Sequence, residues 1–311
     1  MLNIISGKRP RAVKLVITGS EGIGKSTLAS KAPGVLFVDT EGGTDQLDVN
    51  RISGIDSWEK LKKIPQEILD NPGCCQTLVI DTADWAEAMC IRFICNQNRV
   101  NGLESFGYGK GYTYLYEEFN SFLSELNRLI CAGINVIIIA HAKMKKQELP
   151  DEQGAFDRWE LKLTKQVAPL VKEWGDAVLF CNYKTYVTSA DSGSKKATGG
   201  KRVIYTTHHP CWDAKNRFGL EEELPLDFES IKSIFPCSSE SELKQLKDLL
   251  FKDDIKESEL QDVVARKGTY PSDTPIDGYS STFISSWIIP NWEKIKELIA
   301  KDRNKAETTQ E

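Results

Sequence analysis

Short apolar runs alternate with amphipathic stretches along the chain up to about residue 182. The apolar runs predict buried strands at residues 12–18, 35–39, 77–81 and 135–140. Helical periodicity predicts helices at residues 57–70, 83–97, 112–131 and 161–174. Strands that alternate with helices are typical of a mostly parallel sheet covered by helices. We therefore expect an α/β fold for this part of the chain.

The pattern changes beyond residue 175. Residues 176–188 and 201–207 predict two strands that a small, polar loop joins into a hairpin. From about residue 231 the strand signal fades, and helical periodicity returns at residues 239–251, 256–266 and 291–301. We therefore predict two domains, an α/β core at residues 1–232 and a small helical region at residues 233–311.

Composition narrows the classes of protein to which the chain can belong. Its 311 residues have 40% hydrophobic content and a formal net charge of −5, which argues against a generally basic nucleic-acid coat. Any binding to nucleic acid would therefore use local basic patches. The eight cysteines form no C-x-x-C pair, no apolar signal segment opens the sequence, and its apolar runs are too short to cross a bilayer. We expect a cytoplasmic protein with no membrane partner.

One nine-residue segment carries specific chemistry. It reads G-S-E-G-I-G-K-S-T and fills the phosphate-binding pattern G-x-x-x-x-G-K-[ST]. Its residues are Gly19, Ser20, Glu21, Gly22, Ile23, Gly24, Lys25, Ser26 and Thr27. In such a loop backbone N–H groups surround a polyanion, the lysine reaches the outer phosphates and the serine hydroxyl binds Mg²⁺. A predicted strand precedes the segment and a predicted helix follows it, as this kind of site requires. We expect ATP and Mg²⁺ as cofactors.

Asp81 ends the predicted strand at residues 77–81. In open α/β sheets, ligands lie beyond the carboxyl ends of the strands. An aspartate at this place, downstream of a phosphate loop, can hold the water shell of Mg²⁺. We therefore predict Ser26 and Asp81 as the metal-binding pair, although many strands end in an aspartate that binds no metal.

Two further motifs resemble those of a known family. Asp39-Thr40-Glu41 resembles the D-x-E motif that RecA-like recombinases and bacterial RadA carry at the end of the strand after the phosphate-loop helix. Lys215-Asn216-Arg217-Phe218-Gly219 is similar to a signature of RadA and to the K-x-R-x-G motif of replicative hexameric helicases. Over about residues 12–222 the chain most resembles the short, core-only RecA-like ATPases of bacteriophages, which are associated with single-strand annealing and recombination.

The resemblance implies a RecA-like P-loop NTPase core and roles for individual residues. Glu41 corresponds to the glutamate that activates the attacking water. His141 stands at the strand end where relatives carry a polar residue, often glutamine, that senses the γ-phosphate. Lys215 and Arg217 correspond to cations that touch the γ-phosphate of a neighbouring subunit, so the resemblance implies a homo-oligomeric ring or filament. The alternatives for these motifs are a surface acid, a structural histidine and a basic turn.

Relatives of this family present two loops toward DNA, which correspond to about residues 97–112 and 143–158 of this chain. The first combines glycines with aromatic and basic residues, a mixture suited to base stacking and phosphate contact, and the second is polar and expected to be mobile. A third basic patch lies on the predicted hairpin. The candidates for contact with single-stranded DNA are Arg99, Tyr108, Lys110, Lys143, Lys145, Lys146, Lys195, Lys196, Lys201 and Arg202. Each patch can equally be a solvated surface.

Together the motifs predict a Mg-dependent ATPase. The first hypothesis is a RecA-like protein that acts on single-stranded DNA in phage-type recombination, annealing or repair. Its active sites would be shared between subunits, and a single-strand-binding or annealing protein would be a further partner. The alternatives are a nucleotide-dependent assembly switch and a hexameric helicase or loader motor in DNA replication.

Overall fold

The computed structural model of the chain describes residues 11–148, 154–189, 195–236, 239–268, 270–279 and 283–308, without the side chains of residues 185–189, 195–198, 239–241, 286 and 304–308. The chain divides into two compact units, Met1–Pro236 and Cys237–Glu311.

Within the described residues, the first unit contains a ten-stranded sheet. Its strands are β1 (Lys14–Gly19), β2 (Val35–Asp39), β3 (Asn50–Ile52), β4 (Thr77–Asp81), β5 (Asn135–Glu148), β6 (Ala155–Leu161), β7 (Ala177–Ser189), β8 (Lys195–Tyr205), β9 (Lys215–Asn216) and β10 (Glu223–Pro225). Neighbouring strands follow the order β10-β8-β7-β1-β5-β4-β2-β3, while β6 pairs with β5 and β9 pairs with β7. The strands from β7 to β3 in this order run parallel to one another, so their carboxyl ends meet at one edge of the sheet.

Helices lie between the parallel strands along the chain and cover the sheet. They are α1 (Lys25–Ala29), α2 (Trp58–Asp70), α3 (Ala83–Gln97), α4 (Lys110–Cys131) and α5 (Val167–Trp174). In the described part of the chain no helix combines the length and the apolarity needed to cross a membrane.

The central strands are apolar on both faces because both faces of the sheet are covered. Val16 of β1 belongs to the same core cluster as Phe119 of α4. Leu15 and Ile17 belong to a second cluster, together with Leu28 of α1. Successive side chains of a strand point to opposite faces, so a strand between two cores reads as a continuous apolar run. This is why the hydrophobic pattern located these strands.

Most of the expected loop at residues 143–158 instead belongs to two paired strands. β5 continues to Glu148 and pairs antiparallel with β6, from Ala142 opposite Leu161 to Glu148 opposite Ala155. The prediction of a mobile loop is therefore wrong for residues 143–148 and 155–158. Backbone hydrogen bonds join the two strands whatever their side chains are, and the exposed faces are polar, so no apolar run marked them.

The second unit is helical. Its long helices are α6 (Ser239–Lys252), α7 (Glu257–Lys267) and α8 (Trp292–Thr308). Leu246 of α6, Val264 of α7 and Ile295 of α8 belong to one core cluster, so this unit has a hydrophobic core of its own. The two units confirm the predicted fold class, an α/β core with a mostly parallel sheet flanked by helices and a small helical C-terminal region.

Candidate active site

The phosphate loop connects β1 to α1 and depends on two of its glycines. Gly19 ends β1 and lies between His141 of β5 and Cys181 of β7 in register. Gly24, immediately before α1, has a φ of +109°, a conformation that side chains with a Cβ rarely adopt. The first glycine permits the close approach of a neighbouring strand, and the second permits the turn into the helix.

Gly19→Ala is expected to destabilise the first unit by about 1–3 kcal/mol. A Cβ atom at position 19 would overlap the backbone carbonyl oxygen of Cys181, and both strands are held in the middle of the sheet. Thermal denaturation of the full chain measures the effect. Gly102→Ala is the matched control, because Gly102 has an extended backbone with a φ of −176° and nothing within 4 Å of the Cβ position. Equal melting temperatures for the two variants would contradict close packing at Gly19.

Lys25 is folded back into the phosphate loop. The residue is only 5% exposed, and its Nζ donates hydrogen bonds to the carbonyl oxygens of Gly19 at 3.2 Å and Ser20 at 2.9 Å. Burial lowers the pKa of Lys25 below its usual value, although negative charges nearby, Asp81 among them, oppose that change. Phosphate oxygens are stronger partners for an ammonium group than neutral carbonyls. Lys25 is therefore placed to exchange these two carbonyls for the phosphates of a nucleotide.

Asp81 ends β4 and lies beside Ser26. The residue is 1% exposed, and burial raises the pKa of its carboxyl group to about 6, although the hydrogen bond with Ser26 acts to lower it. Its Oδ1 atom is buried without a hydrogen-bond partner among the described residues. A buried carboxylate oxygen that lacks a partner, next to a hydroxyl group, fits the oxygen ligands that Mg²⁺ prefers. Ser26 and Asp81 are therefore the residues that would hold the metal.

The segment after β2 is held in place by Asp39. Its Oδ1 atom accepts hydrogen bonds from the backbone N–H groups of residues 41 to 43, and its Oδ2 atom accepts from the N–H and hydroxyl groups of Thr44. Burial acts to raise the pKa of Asp39, but the hydrogen bonds from Thr44 and the backbone keep it below its usual value. Asp39 therefore positions the loop that carries Glu41.

Glu41 is exposed just after the end of β2, which lies next to the end of β4 that carries Asp81. Asp39 lies opposite Asp81 in register. Thr40 links the ends of β2 and β4, because its hydroxyl donates to the carbonyl oxygen of Asp81 at 2.9 Å and accepts from the N–H of Thr82 at 2.8 Å. The negative charge of Glu41 acts to raise the pKa of Asp81 and that of the phosphate-loop lysine. The structure thus brings the lysine, the metal pair and an exposed carboxylate to one edge of the sheet.

His141 lies beside Gly19 and is bound to Asp84 of α3. Its Nδ1 lies 3.0 Å from Oδ2 of Asp84, and its backbone N–H donates to Oδ1 at 3.1 Å. A neutral ring that donates its Nδ1 proton to this carboxylate presents Nε2 as an acceptor, whereas a protonated ring presents Nε2 as a donor to phosphate. Burial acts to raise the pKa of Asp84, but the hydrogen bonds from His141 keep it below its usual value.

Asp84 is a site residue that the sequence analysis missed. It lies in the first turn of α3, three residues after Asp81, and holds both the ring and the backbone of His141. The only hint in the sequence was that Asp84 lies close to Asp81 along the chain. Its partner His141 is 57 residues away, so their contact could not be read from the sequence.

Lys215 lies at the opposite end of the parallel strands from the phosphate loop of its own chain. β9 pairs with the start of β7 at Ala177, which lies opposite Leu15 near the start of β1. Nζ of Lys215 donates to three carbonyl oxygens at the end of α5, those of Lys172 at 3.2 Å, Glu173 at 3.1 Å and Gly175 at 2.7 Å. Lys215 therefore caps α5 within its own protomer.

Arg217 lies at the same edge and is 59% exposed. Its Nη1 is 3.4 Å from Oδ1 of Asp176, and this buried carboxylate also pairs with Arg11 at 2.6 Å. Two guanidinium groups share one carboxylate, so this group of three side chains carries a net positive charge. The structure does not bring Arg217 to the phosphate loop of the same chain.

Three of the DNA-contact candidates lie in the segment that joins α3 to α4. Tyr108 is fully exposed and has a φ of +48°, between Gly107 and Gly109, whose φ values are also positive. Arg99, near the end of α3, has a φ of +56°. Lys110 begins α4 and is exposed. The segment therefore presents an aromatic side chain to solvent with basic residues before and after it.

The basic residues of β5 differ in what they contact. Lys143 donates to the carbonyl oxygen of Leu163 at 3.1 Å, and Lys145 pairs with Glu160 at 3.5 Å. Lys146 is exposed. Lys145 therefore joins β5 to β6, whereas Lys143 contacts the segment that follows β6.

The basic residues of β8 also differ. The side chains of Lys195 and Lys196 lie outside the described residues. Lys201 is exposed. Arg202 donates a hydrogen bond from Nη1 to the carbonyl oxygen of Ile23 at 3.3 Å, so it contacts the phosphate loop itself.

One known protein family covers the residues of this site. A family profile described as an AAA domain matches residues 11–218. The SPbeta prophage-derived uncharacterized protein YorG of Bacillus subtilis (strain 168) is 28% identical over 138 residues, which are 43% of this chain and 42% of that protein. The chain therefore matches less than half the length of this relative.

Among solved structures, the crystal structure of the flagellar accessory protein FlaH from Methanocaldococcus jannaschii aligns with a TM-score of 0.33 and 11% identity, over 66% of this chain and 88% of that chain. A likeness at this level adds nothing to the argument from the strand order and the phosphate loop.

Proposed function

The chain belongs to the AAA domain family through residues 11–218 and is a P-loop NTPase; from this premise we propose that it hydrolyses ATP with Mg²⁺ while bound to single-stranded DNA. The reaction would serve recombination, annealing or repair. The phage setting is proposed because one relative, YorG, is prophage-derived.

One observation carries the proposal: the groups needed to cleave a triphosphate lie together at the carboxyl edge of the sheet. Lys25 lies in the phosphate loop, Asp81 has a buried oxygen suited to a metal, and Glu41 offers an exposed carboxylate. Binding of phosphates, neutralisation of their charge and orientation of the attacking water are the three tasks of such a site.

In the proposed reaction Glu41 accepts a proton from a water molecule while the water oxygen forms a bond to the γ-phosphorus. The bond from the γ-phosphorus to the bridging oxygen breaks, and that oxygen leaves as part of ADP. Lys25 binds the phosphates throughout. A Mg²⁺ ion held by Ser26 and Asp81 would supply neutralisation of the phosphate charge. His141, which Asp84 orients, lies beside Gly19 and would contact the γ-phosphate.

Binding of single-stranded DNA is proposed for the segment between α3 and α4. An exposed aromatic ring such as that of Tyr108 can stack on a base, which contributes about 1–3 kcal/mol per base. Arg99 and Lys110 precede and follow it and can pair with phosphates. Stacking combined with phosphate contacts predicts binding that is sensitive to salt and indifferent to base sequence.

Hydrolysis measured with and without an oligodeoxythymidine strand at low salt tests this proposal. We expect the strand to stimulate the wild type. Tyr108→Ala is expected to bind the strand about 10-fold more weakly, with unchanged hydrolysis in the absence of DNA. Tyr116→Ala is the matched control, because Tyr116 is an exposed tyrosine within α4 and outside the loop. Hydrolysis that no DNA strand stimulates would contradict the DNA part of the proposal. Loss of hydrolysis in Lys25→Ala would show that the measured activity belongs to this site.

An active site shared between copies is part of the proposal. Arg217 is exposed at the far end of the strands from its own phosphate loop, and this position supports a contact with a neighbouring copy rather than with its own nucleotide. Contacts between different faces of successive protomers generate rings or filaments. Lys215, which caps α5, would act by holding the strand that precedes Arg217. The same placement suits a hexameric motor, and a strand-displacement assay separates a motor from an annealing-type ATPase.

A further inference from the structure

Arg202 approaches the phosphate loop of its own chain through two contacts. Its Nη1 donates to the carbonyl oxygen of Ile23 at 3.3 Å. The same atom lies 3.0 Å from the place that a Cβ atom would take on Gly24. The guanidinium group therefore occupies the space that the missing side chain of Gly24 leaves.

The sheet delivers this side chain to the loop. In register, β8 places Arg202 opposite Tyr183 of β7, two residues beyond Cys181, which lies beside Gly19. On the other side, the carbonyl oxygen of Arg202 accepts a hydrogen bond from the N–H of Leu226 at 3.3 Å. A residue paired on both sides within a sheet is positioned more firmly than one on a loop.

A positive charge at this place has a specific use. The backbone N–H groups of a phosphate loop bind the α- and β-phosphates of a nucleotide. A guanidinium group has five N–H donors in a planar fork that matches phosphate oxygens, and Ile23 takes one of them among the described contacts. Arg202 can therefore reach an anion in the loop while it keeps its contact with Ile23.

We propose that Arg202 is a nucleotide-binding residue that acts within its own protomer on the α- and β-phosphates of the bound nucleotide. This assignment rests on the proposed NTPase function and gives Arg202 a role other than contact with nucleic acid. It also separates two arginines, since Arg202 acts on phosphates that ATP and ADP share, whereas Arg217 is proposed to act on the γ-phosphate of a neighbour.

Lys201 is the internal comparison. It precedes Arg202 on β8, and successive side chains of a strand point to opposite faces of the sheet. Both residues are exposed, but Lys201 lies one residue away from the contact with the phosphate loop. Lys201→Ala and Arg202→Ala each remove one positive charge from β8. Only Arg202→Ala also removes the proposed contact with the phosphates.

Equilibrium titration of the full chain with ADP and with a non-hydrolysable ATP analogue, without nucleic acid, tests the proposal. Arg202→Ala is expected to weaken binding of both nucleotides about 10-fold, as loss of one charge-assisted hydrogen bond predicts. Arg202→Lys is expected to recover part of the affinity, and Lys201→Ala to bind within about twofold of the wild type. Melting temperatures without nucleotide show whether each variant is folded.

The other outcomes overturn the proposal in different ways. Unchanged nucleotide affinity in Arg202→Ala, above all with weaker binding of single-stranded DNA, would return Arg202 to a nucleic-acid surface and leave the NTPase function intact. A loss confined to the ATP analogue would place Arg202 at the γ-phosphate instead. A wild type that binds neither nucleotide would overturn the proposed function, and this assignment with it.

Discussion

Glu41→Gln is expected to slow hydrolysis by about 10²- to 10⁴-fold, the contribution that a positioned general base usually makes. Nucleotide affinity is expected to stay near that of the wild type, because Glu41 is not among the residues proposed to bind the phosphates. Glutamine has the shape of glutamate but cannot accept the proton of the attacking water. Single-turnover hydrolysis and nucleotide titration of the same preparation measure the two effects separately.

The matched control for this substitution is Asp45→Asn. Asp45 is an exposed acid four residues further along, and it pairs with Arg51 at 3.5 Å. Its neutralisation changes the local charge by the same amount without touching the strand end. Equal rates for Glu41→Gln and the wild type would rule out Glu41 as the base. Equal losses in both variants would show that the charge of the segment matters rather than one carboxylate.

The phosphate loop could be predicted from sequence because all of its determinants are local. Gly19, Gly24, Lys25 and Ser26 lie within eight residues, and the strand before them is a continuous apolar run. Asp81 could be proposed as a metal-binding residue because its strand is equally apolar and ends at the same edge of the sheet. Strand ends follow from hydrophobic patterning when both faces of a sheet are covered.

The partners of these residues could not be predicted, because they depend on register between distant strands. Arg202 lies 179 residues from Ile23 along the chain, and only the pairing of β8 with β7 brings the two together. The bond between His141 and Asp84 spans 57 residues. A basic residue in a polar hairpin looks the same in sequence whether it faces solvent or a phosphate loop, so Arg202 and Lys201 could not be told apart.

The K-N-R-F-G motif shows a further limit of sequence reasoning. Lys215 and Arg217 are two residues apart and look equivalent, yet one caps a helix and the other is exposed beside Asp176. A lysine bonded to three carbonyl oxygens of its own protomer is poorly placed to leave for a neighbour's phosphate. The proposed trans-acting role therefore falls to Arg217, and it can be tested independently of Lys215.

Arg217→Ala is expected to reduce the rate of hydrolysis by about 10³- to 10⁵-fold, which is the contribution that arginine fingers make to the rate of phosphoryl transfer. The lost charge lies far from the nucleotide of the same chain, so nucleotide binding is expected to persist. Mixing Arg217→Ala with Lys25→Ala in equal amounts should restore about one quarter of wild-type activity, because random assembly pairs an intact phosphate loop with an intact arginine at about one interface in four. Steady-state hydrolysis of each variant and of the mixture provides the measurement.

Arg128→Ala is the control for the mixing experiment, since Arg128 is a surface arginine of α4 paired with Glu125 at 2.6 Å. Arg128→Ala alone should hydrolyse ATP like the wild type. If Arg217→Ala and Lys25→Ala co-assemble and yet no activity returns, the arginine does not act across a subunit boundary. Full activity of Arg217→Ala alone would show that the K-N-R-F-G motif has a structural role. Arg217 would then serve only to pair with the buried carboxylate of Asp176. Neither variant can complete a shared site by itself. Activity that returns on mixing therefore shows both that the variants are folded and that the active site is shared between subunits.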